Sequence, residues 1–260
     1  MELRIAGFKI HVQFQNSEWR GLKKEYINQI EKMFRPFIFR AEPNPDAIIV
    51  IKDQNKIFTM RKNIDQKNQY FINTFIKISN THFITFYQHS LIGVFQMILK
   101  YILIDLLYKN QGFGLHCSAV LIKNKAQIFM AKSGGGKSTI LNLLKSVYKP
   151  IVDDFGIVKL INNNYYFYHS PFLEKQNFKR ENQYYEIGNL FIIKKSSFNG
   201  ITQASDDIIN SKILEQAIFL TNSMIKIDII LKLTKKYPVK FLFFSKDRLK
   251  LRNVLRKFDN

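Results

Sequence analysis

One cysteine, Cys117, occurs in 260 residues. That excludes an intrachain disulfide and a cysteine-based zinc site. It fits a reducing, cytoplasmic interior, and the ordinary role of a lone cysteine is that of a small buried residue. Histidines are few as well: there are 5, and His11, His82 and His89 have no partner at metal-ligand spacing. Neither a Ser-His-Asp elbow nor an H-E-x-x-H helix is present. There is no internal repeat and no low-complexity linker. The opening stretch MELRIAGFKIHVQF alternates like a strand and lacks a long apolar core, so no secretory signal is expected. An uninterrupted membrane-length run is missing too. Residues 91 to 108, LIGVFQMILKYILIDLLY, approach the length of about 18 apolar residues that a span requires. Gln96, Lys100 and Asp105 interrupt the run, and a charge at mid-membrane is costly. A buried helix and no membrane span are expected.

Acidic residues are outnumbered two to one, with 20 Asp and Glu against 40 Lys and Arg, a net charge of +20. Such a balance suits a nucleic acid or an anionic surface. It also follows from a composition rich in Lys, Ile, Asn, Phe and Tyr. The densest basic stretch, residues 223 to 260, carries 11 Lys and Arg against 3 acids. Its pieces MIKIDIILKLTKKY and KDRLKLRNVLRKF are amphipathic, so the lysines are expected on solvated faces and nucleic acid is not the expected partner. The apolar fraction of 46% supports a sizeable core and allows a homo-oligomer.

Residues 1 to 88 read as a β-rich lobe. RIAGFKIHVQF is a strand pair or one long strand, and EWRGLKKEYINQIEKMF has helical spacing. AIIVIKD, KIFTMRK, YFINTFIKIS and HFITFYQ are short β-rich runs separated by Asn, Asp and Lys turns. A helix over 89 to 109 opens a second region, 89 to 260.

That region carries the chemistry. CSAVLIKN reads as a strand, NK as a turn and AQIFMAK as a second strand, which runs into SGGGKST; STILNLLKS then reads as a helix. Strand, glycine loop and helix make the context of a phosphate-binding loop. Gly134, Gly135 and Gly136 let backbone N–H groups converge without Cβ clashes. Those amides and the helix N-terminus form an anion site. Lys137 is a point charge for the β- and γ-phosphates, and Ser138 offers a hydroxyl to Mg²⁺. The motif's first position is Ala131, giving A-x-x-x-x-G-K-S, which is acceptable if φ there is negative. Ala131, Ser133, Gly134, Gly135, Gly136, Lys137, Ser138 and Thr139 are the expected nucleotide contacts.

KPIVDDFGIVKL follows, where a short apolar strand meets Asp153 and Asp154. In P-loop enzymes a neighbouring strand delivers a carboxylate beside the phosphates. Successive strand side chains point to opposite faces, so both aspartates face one site only where the strand ends. The Phe155-Gly156 that follows suggests that the strand ends at the aspartates. One carboxylate then serves the metal and the other a general base.

GLHCSAVLIKNKAQIFMAKSGGGKST followed by IVDDFGIV resembles the catalytic core of the HPr kinase/phosphorylase-like kinases. His116 lies 15 residues before Ala131, as the histidine of that family does before its loop. The resemblance covers residues 112 to 160 clearly and is fainter at 165 to 175 and 237 to 244. The lobe beginning RIAGFKI is similar to that of shorter HPr-kinase-like proteins. The resemblance implies an α/β (α+β) fold with a P-loop core of the HPr kinase/phosphoenolpyruvate carboxykinase type. It implies that Lys137 and Ser138 bind phosphate and Mg²⁺, and that Asp154 accepts the proton of the hydroxyl being phosphorylated. Asp153 supports Asp154 or the metal, and His116 sits beside the transferred group. The family's glycine- and arginine-containing signature after the aspartate pair is not found. The resemblance therefore does not carry HPr as substrate, the reverse phosphorylase reaction or a hexamer. Glu174 and Glu181 are the nearest acidic candidates for a further metal ligand.

The resulting expectation is a kinase using ATP and Mg²⁺ with a hydroxyl acceptor: a serine of a protein or of a ribosomal, lasso-type peptide, or a small molecule. A nucleotide-binding regulator with a basic partner-binding face is the competing class. A carboxykinase-like enzyme needs an arginine-rich pocket, and Arg180 is the only arginine between residues 63 and 247. His169, within the aromatic YYFYHSPF, is expected to pack in a core or line a cleft. The YYFY run could stack bases, but an aromatic hairpin is favoured.

Overall fold

The computed structural model describes all residues except 17, 19, 54–60, 63–69, 72–74, 88–91, 173–177, 204–205, 221–223 and 259–260. Its chain forms two compact units, Met1–Leu103 and Ile104–Asn260.

In the first unit β1 (Glu2–Ile5) and β2 (Phe8–Phe14) form a hairpin. RIAGFKIHVQF is thus a strand pair. Ala6 and Gly7, at φ 51 and 81, make the two-residue turn whose twist matches paired strands. Helix α1 (Arg20–Phe34) then crosses over to β4 (Ala47–Lys52), which pairs with β2 in parallel. Between them lies the short β3 (Ile38–Phe39). Two-residue strands β5 (Arg61–Lys62) and β6 (Tyr70–Phe71) pair with each other. Strands β7 (Phe75–Lys77) and β8 (His82–Phe86) complete a sheet of order β3-β1-β2-β4-β8-β7. Alternation puts Ile10, Val12, Ile49, Ile51 and Phe83 inside. Tyr26, Ile30 and Phe34, at helical spacing on α1, are buried, and Phe34 meets Phe95 edge-on at 5.5 Å. Phe95 belongs to α2 (Ile92–Lys109), the apolar segment of the sequence. No helix among the described residues is long and apolar enough to cross a membrane. The run KIFTMRK lies mostly outside the described residues.

The second unit is a mixed α/β layer structure. Strands β9 (Phe113–Ile122) and β10 (Lys125–Met130) form a hairpin turned by Lys123 and Asn124, at φ 46 and 60. Helix α3 (Lys137–Leu144) follows the glycine loop. Then come β11 (Lys149–Val152), β12 (Phe155–Ile161), β13 (Asn164–Tyr168), β14 (Tyr184–Lys195) and β15 (Gly200–Gln203). Helix α4 (Asp206–Gln216), β16 (Ala217–Ile218), α5 (Met224–Lys236), β17 (Val239–Phe244) and α6 (Arg248–Leu255) end the chain. The sheet runs β10-β9-β12-β13-β14-β17-β15, and β10 also pairs directly with β14 in parallel. The path from β10 through β9, β12 and β13 to β14 therefore returns on itself. A register shift on β10, between Ala126 and Gln127, lies opposite Gly188 on β14. A Cβ on Gly188 would lie 2.3 Å from the Gln127 amide.

The two sheet faces bury separate cores. Leu115, Cys117, Ile128, Met130, Leu190 and Ile192 share one with Ile213 of α4 and Ile230 and Leu233 of α5. Phe129, Phe191, Ile193, Leu242 and Phe244 share the other with Ile140 and Leu141 of α3 and Leu251 and Leu255 of α6. The basic C-terminal stretch is thus amphipathic: α5 and α6 each bury an apolar stripe, one against each face of the sheet.

One expectation needs correction. His116 does not precede a strand; β9 begins at Phe113, and His116 is its fourth residue. The strand that leads into the aspartates does end at them, as expected. That strand stops at Val152, and Phe155 opens β12. The cause is the pairing of both segments with β9, Val152 opposite Ala119 and Phe155 opposite His116. The chain must step sideways between them, and the step is Asp153-Asp154.

Candidate functional site

The glycine loop leaves β10 at its carboxyl end and closes at α3. Gly134 and Gly136 take φ of 74 and 106, values that an L side chain resists. Gly135 is required for a different reason: a Cβ there would lie 2.6 Å from that of Ala131 and 2.9 Å from the Lys132 carbonyl. Ala131 is not among the positive-φ residues, so its own methyl group is accommodated. The Gly135 amide donates to the Lys132 carbonyl at 2.9 Å, and Lys195 Nζ donates to the Gly134 carbonyl at 2.9 Å. Gly136 packs on Phe244, whose ring would meet a Cβ at 2.7 Å.

Lys137 begins α3 and is buried, with Nζ donating to the Ala131 carbonyl at 2.6 Å. Its carbonyl accepts from the buried Ser118 hydroxyl at 3.0 Å. Ser118 lies two residues beyond His116 on β9, so one strand fixes both the start of α3 and the histidine. The Cys117 amide donates to the Asp154 carbonyl at 3.3 Å, and His116 Nε2 lies 3.2 Å from Asp154 Oδ1. Both side chains of that pair are partly exposed, so its contribution to stability is small. Its consequence is positional: the carboxylate is held on the side of the loop where β9 runs.

A cavity of about 210 Å³ is lined by His116, Ser133, Gly134, Gly136, Lys137, Ser138, Thr139, Asp153 and Asp154. Every candidate residue of the loop except Ala131 and Gly135 borders it. Those two lie on the loop's opposite flank, in a second cavity. Asp153 is buried and Asp154 is partly exposed, so the adjacent carboxylates differ in access to solvent. The geometry offers a lysine, a hydroxyl and the first amides of a helix, which have no intrahelical acceptor, on one side. Two carboxylates and an imidazole stand on the other. A hydroxyl with a buried carboxylate is an oxygen donor set that suits Mg²⁺, which is commonly held by one or two carboxylates and by phosphate oxygens.

The other titratable candidates lie elsewhere. Glu181 pairs with Lys149 at 2.5 Å and Lys179 at 3.4 Å and does not border the cavity; the Lys149 hydrogen bond pulls its pKa below the usual carboxylate range. Glu174 and His89 lie outside the described residues. His11 pairs with Glu2, and His82 joins the Ser79–Thr81 turn. His169 is buried, 3.4 Å from the Tyr185 hydroxyl. Burial pushes its pKa down to about 4, against a smaller upward pull from Glu181. Its burial thus favours the neutral imidazole. The YYFY run forms β13 of a hairpin turned by Asn162 and Asn163. Sequence reasoning overlooked Ser118 and Lys195, because a serine in a strand and a lysine at a strand end carry no local signal.

No family model and no curated protein matches the chain. Among solved structures, the Hpr(Ser) kinase/phosphatase from Coxiella burnetii is similar over 55% of this chain and 94% of that one. The identity is 13% and the TM-score 0.32, a level at which likeness carries no weight for activity.

Proposed function

We propose that the chain is a phosphotransferase that moves the γ-phosphoryl group of ATP to a hydroxyl, with a serine of a protein or peptide as the favoured acceptor. The observation that carries this reading is the convergence of the glycine loop, Lys137, Ser138, Asp153, Asp154 and His116 on one cavity. In this reading the loop amides and Lys137 neutralise the β- and γ-phosphates, lowering the cost of charge that builds on the bridging oxygen. Ser138 and Asp153 hold Mg²⁺, which supplies further charge neutralisation at the phosphates. Asp154 takes the proton of the acceptor hydroxyl as its oxygen bonds to the γ-phosphorus. The bond from that phosphorus to the bridging oxygen breaks, and ADP leaves with the electron pair. His116, 3.2 Å from Asp154, orients that carboxylate and faces the group in transfer. Positioning and electrostatics supply most of the rate in such chemistry.

The test is transfer from γ-labelled ATP with Mg²⁺ to a panel of serine-containing proteins, peptides and hydroxylated metabolites, for the natural chain and Asp154→Asn. Label on one acceptor, reduced by about 10² or more in the variant, with nucleotide binding kept, is the expected result. Nucleotide binding without transfer to any acceptor would move the reading to a nucleotide-binding regulator. Equal transfer by Asp154→Asn would remove Asp154 from the proposed role.

A further inference from the structure

A second cavity, of about 390 Å³, borders the glycine loop on the flank away from His116 and Asp154. Strand β10 runs between β9, which carries His116, and β14. The cavity opens at the carboxyl ends of the parallel pair β10 and β14, where α/β sheets receive ligands. Met130, Ile192 and Ile193 contribute apolar walls, and Ala131 and Gly135 bring the loop backbone to its edge. Lys195 ties the end of β14 to the loop through the Gly134 carbonyl. The far wall is the last turn of α4, fixed by β16, which pairs with β9 immediately after Gln216.

Gln216 is 7% exposed, and its Oε1 is buried with no hydrogen-bond partner. Native folds rarely leave a buried acceptor in that state, and on a residue that lines a ligand-sized cavity such an atom calls for a donor on the ligand. A triphosphate lying along the loop with its transferring end toward Asp154 directs its other end to the β14 flank. Apolar walls suit the faces of a flat ring. Presented by its oxygen, the Gln216 carboxamide suits an exocyclic amino group on the ring's edge, the contact by which glutamine pairs with adenine.

Resting on the phosphate reading of the loop given above, we infer that this cavity takes the nucleobase and selects adenine, with Gln216 Oε1 accepting from the 6-amino group. Gln216 is then a specificity-determining residue for the nucleotide.

Calorimetric titration of the whole chain with ATP, GTP and inorganic tripolyphosphate, each with Mg²⁺, tests this. ATP should bind about tenfold or more tightly than either of the others. Gln216→Leu should erase the preference for ATP over GTP and leave tripolyphosphate affinity unchanged, which also reports that the variant is folded. Equal affinity for all three ligands overturns the base pocket and leaves the phosphate loop standing. A preference for GTP, or an ATP preference that survives Gln216→Leu, overturns the assignment of Gln216. Failure of all three to bind overturns the phosphate reading itself and the base pocket with it. The comparison on the natural chain decides the matter even where the variant does not fold.

Discussion

Gly136→Ala is the substitution whose cost the structure defines most closely. Two separate penalties apply. Gly136 sits at φ 106, where an L side chain costs on the order of 1–2 kcal/mol. The new methyl group would also lie 2.7 Å from the Phe244 ring and 3.3 Å from the Lys195 stem, against about 3.5–4.0 Å for a relaxed carbon contact. Lys195 is a flexible neighbour and can yield. Phe244 is buried against Leu242, Leu251 and α3, and overpacking such a site costs about 1–3 kcal/mol. The sum is about 3 kcal/mol, or roughly 10 °C in the unfolding temperature of a unit this size. Gly134→Ala provides the contrast. Gly134 has φ 74, but no atom lies within 4 Å of its absent Cβ, so only the backbone penalty of about 1–2 kcal/mol remains. Thermal melts by circular dichroism give the stabilities, and tripolyphosphate titration gives the state of the loop. Gly136→Ala should lose more stability than Gly134→Ala. Phe244→Leu in the Gly136→Ala background should recover part of the difference. Equal melting temperatures for the two alanine variants would refute the claim that Phe244 dictates glycine at 136.

Three further outcomes are expected. Unfolded His169 binds a proton below about pH 6.5, but folded His169 does so only near pH 4. The unfolded state therefore holds more protons between those values, and stability should fall by up to about 3 kcal/mol as pH drops through that window, with no contribution above it. Urea titrations at pH 5 and 7 should show a smaller difference in His169→Leu, and an unchanged difference would refute the assignment. Phe129 and Phe191 are fully buried and stack at 5.6 Å on neighbouring β10 and β14; Phe129→Ala should cost about 3–5 kcal/mol, read as a lower urea midpoint. Ser118→Ala removes the donor to the Lys137 carbonyl and should cost about 1 kcal/mol, with weaker tripolyphosphate binding because the start of α3 is less firmly held.

Local signals were legible wherever a few neighbouring residues decide the conformation. Ala6-Gly7, Lys123-Asn124 and Asn162-Asn163 are two-residue turns between β-rich runs; the sequence leaves the first open between a strand pair and one long strand, and puts the second one residue late, at Asn124-Lys125. The amphipathic repeats of α1, α5 and α6 are equally local. So is the glycine loop between β10 and α3, since positive φ and close backbone approach demand glycine in the chain itself. The run from Glu181 to Lys195 was not read as a strand, although it holds all of β14.

Which strands pair is a different kind of information. That β10 is flanked by β9 and β14 follows from how apolar faces on distant segments fill two cores, and no short window contains it. The same pairings put Asp154, the residue just before β12, beside His116, 38 positions earlier in the chain. They also bring Lys195 to Gly134 and the end of α4 to the edge of the loop. Sequence alone determined that a phosphate-loop motif and an aspartate pair exist, because each is written in adjacent residues. Only the tertiary structure decided that they face one cavity with His116 and that Gln216 borders another, because long-range burial sets those distances.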